Sequence, residues 1–94
     1  MVEVFHNKDF LAIQFKKPTE IPAKNLTKVA EVGINDLETA FELTNNIDHP
    51  WTMNERVTPL KNNPRSTSVG DVMKIDDHYY LVASIGFTEI KIVE

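Results

Sequence analysis

The residues best suited to chemistry are gathered in Arg65-Ser66-Thr67-Ser68-Val69-Gly70-Asp71, where a guanidinium, three hydroxyls and a carboxylate share one short segment. Exposed on a turn, Arg65 would offer its planar fork to a phosphate or carboxylate, with Ser66, Ser68 and main-chain amides adding hydrogen bonds. An architectural reading competes with this one and is the commoner outcome. In it Ser66 and Ser68 satisfy loop backbone groups, Gly70 supplies a permissive turn dihedral, and Asp71 accepts from nearby amides. The segment is not a P-loop, because the glycine spacing and the closing Lys-Ser/Thr are missing.

The other reactive side chains are scattered. His6, His49 and His78 form neither a helical i, i+4 pair nor an HExxH arrangement, so no metal site is expected. His49 follows Asp48 directly, and adjacent side chains rarely face each other, which leaves a loop histidine near a helix end as the simpler reading. Neither Ser66 nor Ser68 stands in a GxSxG-like setting, so no hydrolase triad is visible. Trp51, near Met53 and Arg56, has two open roles: an exposed anchor for a partner, or a ring that caps the core from a loop. Tyr79-Tyr80 should place one ring on each face of a strand. Aromatics so placed can stack bases, but the basic groove of a single-strand binder is not evident.

Composition narrows the function classes. The chain has 94 residues with 41% hydrophobic and 26% charged side chains, enough apolar surface for one self-sufficient domain over residues 1–94. It contains no cysteine, which removes disulfides, thiolate metal ligands and cysteine nucleophiles. The opening MVEVFHNKDF has neither the basic flank nor the apolar stretch of a signal peptide, and no apolar run approaches the ~20 residues of a membrane span. A cytoplasmic protein without a membrane partner is therefore expected. A formal charge of −4 makes nucleic acid an unlikely general ligand, since binders of phosphate backbones present a Lys/Arg surplus.

The elements that must position these groups follow from periodicity. Val2 to Phe5 and Leu11 to Phe15 read as the arms of a hairpin around His6-Asn7-Lys8-Asp9. The two prolines of KKPTEIPAKN mark a loop, and Leu26 to Ile34 reads as a short strand. Asn35-Asp36-Leu37-Glu38 looks like a capping box with Asn35 as the cap, opening a helix that ends near Ile47 or Asp48. Leu37, Ala40, Phe41, Thr44 and Ile47 form its apolar stripe. His49 to Asn63 is irregular, and Lys61-Asn62-Asn63-Pro64 is strongly turn-forming. The chain beyond Gly70 reads as an antiparallel meander, with Gly86 at a bulge or tight turn. The expected fold is α+β: an antiparallel sheet of about five strands, curling toward a barrel, with one helix packed across it.

The stretch Arg65 to Val72, followed by Tyr80, Val82 and Gly86-Phe87, resembles a signature of small uncharacterised proteins of bacteriophages and other bacterial mobile elements. Asn45-Asn46-Ile47-Asp48, with Trp51 close behind, resembles their usual upstream half, so the likeness covers roughly residues 35 to 90. It implies a phage-type accessory protein working in bacterial cytoplasm. With no catalytic constellation visible, the expected function is non-enzymatic binding, and possible inhibition, of a bacterial host protein, without a cofactor. A small nucleic-acid-associated accessory factor is the alternative. The expected contact surface joins Trp51 and Arg56 to the Arg65, Ser66 and Ser68 turn, because polar, proline-punctuated loops can present aromatic and guanidinium groups at little ordering cost.

Overall fold

The structure, a computed structural model, describes residues 1–13, 16, 18–45, 51, 54–62 and 64–94. Among the described residues seven strands and one α-helix run in the order β1 (Val2–Asn7), β2 (Glu20–Pro22), β3 (Leu26–Val32), α1 (Leu37–Thr44), β4 (Val57–Pro59), β5 (Val72–Ile75), β6 (His78–Val82) and β7 (Phe87–Val93). They form one sheet of order β2-β7-β6-β5-β1-β3-β4, curled into a half-barrel. The first strand lies inside this sheet, antiparallel to both β3 and β5.

Alternation explains how the sheet is held. Consecutive side chains point to opposite faces of a strand, and the neighbours Val4 and Phe5, Val72 and Met73, and Leu81 and Val82 divide between two apolar clusters. One face gathers Val2, Val4, Ala30, Val32 and Met73 under Ala40, Leu37 and Phe41 of α1. The other face gathers Val72, Leu81 and Ile90 against Ile13 and Ile21. Each cluster is a layer of apolar surface withdrawn from water, which is the main stabilising term for a domain of this size.

The α+β class, the single helix and the terminal meander agree with expectation, and two strands were not anticipated. Both are three-residue edge strands that end on a proline, β2 at Pro22 and β4 at Pro59. An edge strand needs ladder donors on one side only, so proline is tolerated there although it signals a loop in the sequence. The sheet is therefore seven-stranded rather than five-stranded. It is also mixed, because β2 runs parallel to β7, pairing Ile21 with Ile92.

The expected N-terminal hairpin does not form. After β1 the chain folds into successive turns, with Phe10 N donating to Asn7 O and Ala12 N to Asp9 O. Leu11 and Ile13 lie in these turns, and Phe15 falls outside the described residues. Part of the cause is local: the Asn7 side-chain oxygen accepts from Asp9 N at 2.9 Å, an Asx turn that bends the chain before a second arm can extend.

The helix begins one residue later than the capping box suggests. Asp36 is the cap, its carboxylate accepting from Thr39 N at 3.1 Å and from the Thr39 hydroxyl, while Asn35 accepts from the N-terminal ammonium of Met1. Helix α1 ends at Thr44, whose hydroxyl donates back to Ala40 O at 2.9 Å. The Ile47 and Asp48 boundary lies outside the described residues. Phe41 packs on the sheet as expected, its ring edge-on to Phe87 at 6.4 Å. Gly86 occupies the β6–β7 turn with φ 72°.

Candidate functional site

The Arg65 to Asp71 segment is consumed by the fold. Asp71 has no solvent exposure, and its carboxylate accepts four hydrogen bonds: from Asn7 N at 2.8 Å, Ser68 N at 2.7 Å, and the two terminal nitrogens of Arg65 at 2.7 and 2.6 Å. Arg65 donates further to Ser66 O at 3.0 Å and Asn7 O at 3.3 Å, and its guanidinium carbon lies 3.7 Å over the Phe10 ring. This bidentate, charge-assisted pair is the strong kind. It fastens the end of β1 to the approach of β5, two places far apart in the chain.

The glycine of the segment completes the clamp. Gly70 has φ 99°, and a Cβ there would stand 2.4 Å from Phe10 O, so the close approach of the Phe10 turn requires a residue with no side chain. Its N–H donates to Val82 O at 2.9 Å, and its carbonyl accepts from the Asn7 amide at 3.2 Å. Thr67 is fully buried, with its N–H on Thr44 O and its hydroxyl 3.1 Å from His6 Nε2. One polar network thus joins β1, the end of α1 and the start of β5.

The residues of the expected contact surface differ in their placement. Trp51 is 4% exposed, its indole donates to Arg65 O at 3.2 Å, and its ring meets His6 edge-on, so it caps the core and offers no anchor on the surface. Arg65, Ser66 and Ser68 are half-buried; Ser68 serves Asp71 through its backbone, and Arg65 is neutralised by the same carboxylate. Arg56 alone is exposed, on the turn entering β4. His49 and Met53 lie outside the described residues. Tyr79 and Tyr80 are both half-buried rather than split between core and solvent.

Beside the clamp the surface opens into a hollow of about 320 Å³ whose wall includes His6, Lys8, Thr27, Lys61, Asn62 and Arg65. Among the described residues no carboxylate lines it. Arg65 has its charge matched by Asp71, whereas Lys8 and Lys61 are exposed and make no ion pair among the described residues. Two lysines without an ion pair among the described residues therefore line one cavity in a chain of net charge −4. Two other lysines are spent in ion pairs: Lys28 bridges Glu3 and Glu31 across β1 and β3, and Lys74 reaches Glu3 from β5.

His6 forms the floor. Burial pushes its pKa down to about 4, with the positive charges of Arg65 and Lys61 adding to the effect and Asp71 opposing it. At neutral pH it is an uncharged hydrogen-bonding group, not a third cation. His78 differs: it is exposed, and its pairing with Glu89 at 2.8 Å raises its pKa. Among the described residues no cluster of three metal-ligating side chains occurs.

Sequence reasoning does not single out the two lysines of the hollow. Lys8 lay in an expected hairpin turn and Lys61 in a turn before Pro64, and no spacing rule joins residues so distant in the chain. The only available signal was their shared setting, a lysine beside asparagine in a polar turn.

The fold and site define an α+β chain with an internally clamped loop and a lysine-lined hollow beside it. Over 56 residues the chain is 43% identical to an uncharacterised protein of Acanthamoeba polyphaga mimivirus, an alignment covering 57% of this chain and 52% of that protein. The chain thus spans about half the length of the curated relative it matches. No protein-family model and no solved structure matches it. The viral character of the resemblance drawn from the RSTSVGD segment is supported in this form, as similarity to an uncharacterised virus-encoded protein. No helix among the described residues is long and apolar enough to cross a membrane.

Proposed function

We propose that this chain is a non-enzymatic accessory module of viral type that captures a host protein through the basic hollow. The phage-like segment points to a bacterial host and a cytoplasmic setting. The observation that carries the reading is that Lys8 and Lys61 share a wall on which no carboxylate stands among the described residues, while the chain as a whole is acidic. Unpaired charge of one sign in a concave site favours a ligand of the opposite sign and steers its approach. That the polar groups of the Arg65 to Asp71 segment serve the clamp supports binding over catalysis, since the most reactive-looking side chains are committed to the fold. The exposed run Thr58 to Asn62 leads into the hollow and joins its wall at Lys61 and Asn62.

The test is capture of a host protein from nuclease-treated bacterial lysate by the wild-type chain and by a Lys8→Gln/Lys61→Gln variant. Retention by the wild type and loss by the variant is the expected result. A partner retained equally by both would overturn the choice of site. Loss of all capture on nuclease treatment would transfer the function to nucleic acid.

A further inference from the structure

We infer that the hollow between the β1 turn and the segment before Pro64 is a receptor for a phosphomonoester dianion, with Lys8 and Lys61 as its counter-charges. The inference rests on the reading of the hollow as the recognition site and names the group recognised there. Charge supports it first: two free ammonium groups match a monoester, which carries close to two negative charges at neutral pH. A carboxylate would leave one of them uncompensated, and so would a single backbone phosphodiester.

Donor chemistry supports it second. Each lysine offers rotatable N–H donors as a point charge, and the Asn62 amide and Thr27 hydroxyl on the same wall supply neutral donors for the remaining phosphate oxygens. The Arg65 guanidinium uses its four terminal N–H groups on Asp71, Ser66 and Asn7, so it fixes the shape of the wall and does not read the ligand. Shape supports it third. The site is one cavity of about 320 Å³, suited to a single group, whereas a nucleic-acid backbone calls for a stripe of cations along its path.

The same dianion occurs on a phosphorylated side chain and on a nucleoside 5′-monophosphate, and titration separates the two sources. The full 94-residue chain is titrated with a phosphoserine peptide, the same peptide carrying glutamate in that position, a nucleoside 5′-monophosphate, and an oligonucleotide without terminal phosphates. Amide shifts of Lys8, Thr27 and Asn62 are followed by nuclear magnetic resonance. Binding of a monoester, with affinity about tenfold or more weaker in Lys8→Gln/Lys61→Gln, is expected. The preferred monoester identifies the source.

Affinity should also rise with pH through about 6, where the second phosphate proton leaves. Among the described residues the charged or titratable groups on the wall are Lys8, Lys61, Arg65 and His6, and behind Arg65 lies Asp71; His6 titrates near 4 and so leaves that window clear. Glutamate peptide binding as tightly as phosphoserine, oligonucleotide binding as tightly as either monoester, no monoester binding, or an unchanged affinity in the double variant would each overturn the inference. If monoesters fail while host-protein capture still depends on Lys8 and Lys61, the site reading stands and the ligand assignment falls.

Discussion

Replacing Arg65 by alanine decides whether the Arg65 to Asp71 segment is a clamp or a contact surface. In the folded chain Asp71 is wholly buried and receives four hydrogen bonds, two of them from Arg65. The Arg65→Ala variant keeps the Asn7 and Ser68 amides on the carboxylate but strands a buried negative charge without its cation. Breaking a buried pair from one side costs about 3–5 kcal/mol, and loss of the guanidinium from the Phe10 face adds about 0.5–1 kcal/mol. Against a total stability on the order of 5–15 kcal/mol, such a loss shifts a urea midpoint by a large fraction of its value.

Asp71→Ala should cost less, about 3 kcal/mol, because Arg65 is one-third exposed and can rehydrate, although two backbone donors then lose their acceptor. In the double variant the two losses should fall short of their sum by about 1 kcal/mol or more, as for residues in direct contact. Urea melts with a constant m-value provide the assay. An Arg65→Ala variant within about 1 kcal/mol of the wild type would refute the clamp and return Arg65 to the surface as a binding residue.

Three further outcomes follow from the same structure. His6 is neutral in the fold, while an unfolded chain would bind its proton between about pH 6.5 and 4; stability therefore rises with pH across that window and is lost as pH falls, by about 3 kcal/mol at most. His6→Gln, measured beside the wild type in urea melts at several pH values, should remove that part of the slope, and an unchanged slope would contradict it. Gly70→Ala must push Phe10 aside and strain a φ of 99°, so it should cost at least about 2 kcal/mol, whereas Gly86→Ala, with open space around it and only its φ of 72° to strain, should cost about 1 kcal/mol. Equal thermal shifts for the two would count against the close approach. Asp36→Ala should cost about 0.5–2 kcal/mol and exceed Asn35→Ala, since Asp36 is the helix cap; the reverse order in denaturant melts would restore Asn35 to that role.

The parts of the fold visible in the sequence are those with a local cause. The β5, β6 and β7 meander declares itself by apolar runs separated by Asp76-Asp77 and Gly86, and α1 by its stripe from Leu37 to Thr44. Strands β2 and β4 stay hidden because three residues carry no period and because Pro22 and Pro59 argue for loops. The hairpin expected after β1 fails because Asn7 is committed elsewhere: its N–H goes to Asp71 and its side chain to Gly70 and Asp9, and only the tertiary fold brings Asp71 and Gly70 near. The same holds for the site. Arg65 and Asp71 stand close in sequence, so their pairing was within reach of local reasoning, but what the pair encloses depends on Asn7 and Phe10. Lys8 and Lys61 come to line one hollow only once β1 and β3 are paired and the chain leaving β4 runs on beside β3, Leu60 N donating to Val29 O.

The central functional claim is that recognition runs through those two lysines and not through the clamp. Its most direct test is calorimetric titration of the captured partner into wild-type chain and into Lys8→Gln/Lys61→Gln, with urea melts on the same preparations. Both lysines are exposed and unpaired among the described residues, so the melts should agree within about 0.5 kcal/mol, while affinity should fall by about tenfold or more. Equal affinities in two equally stable proteins would contradict the claim.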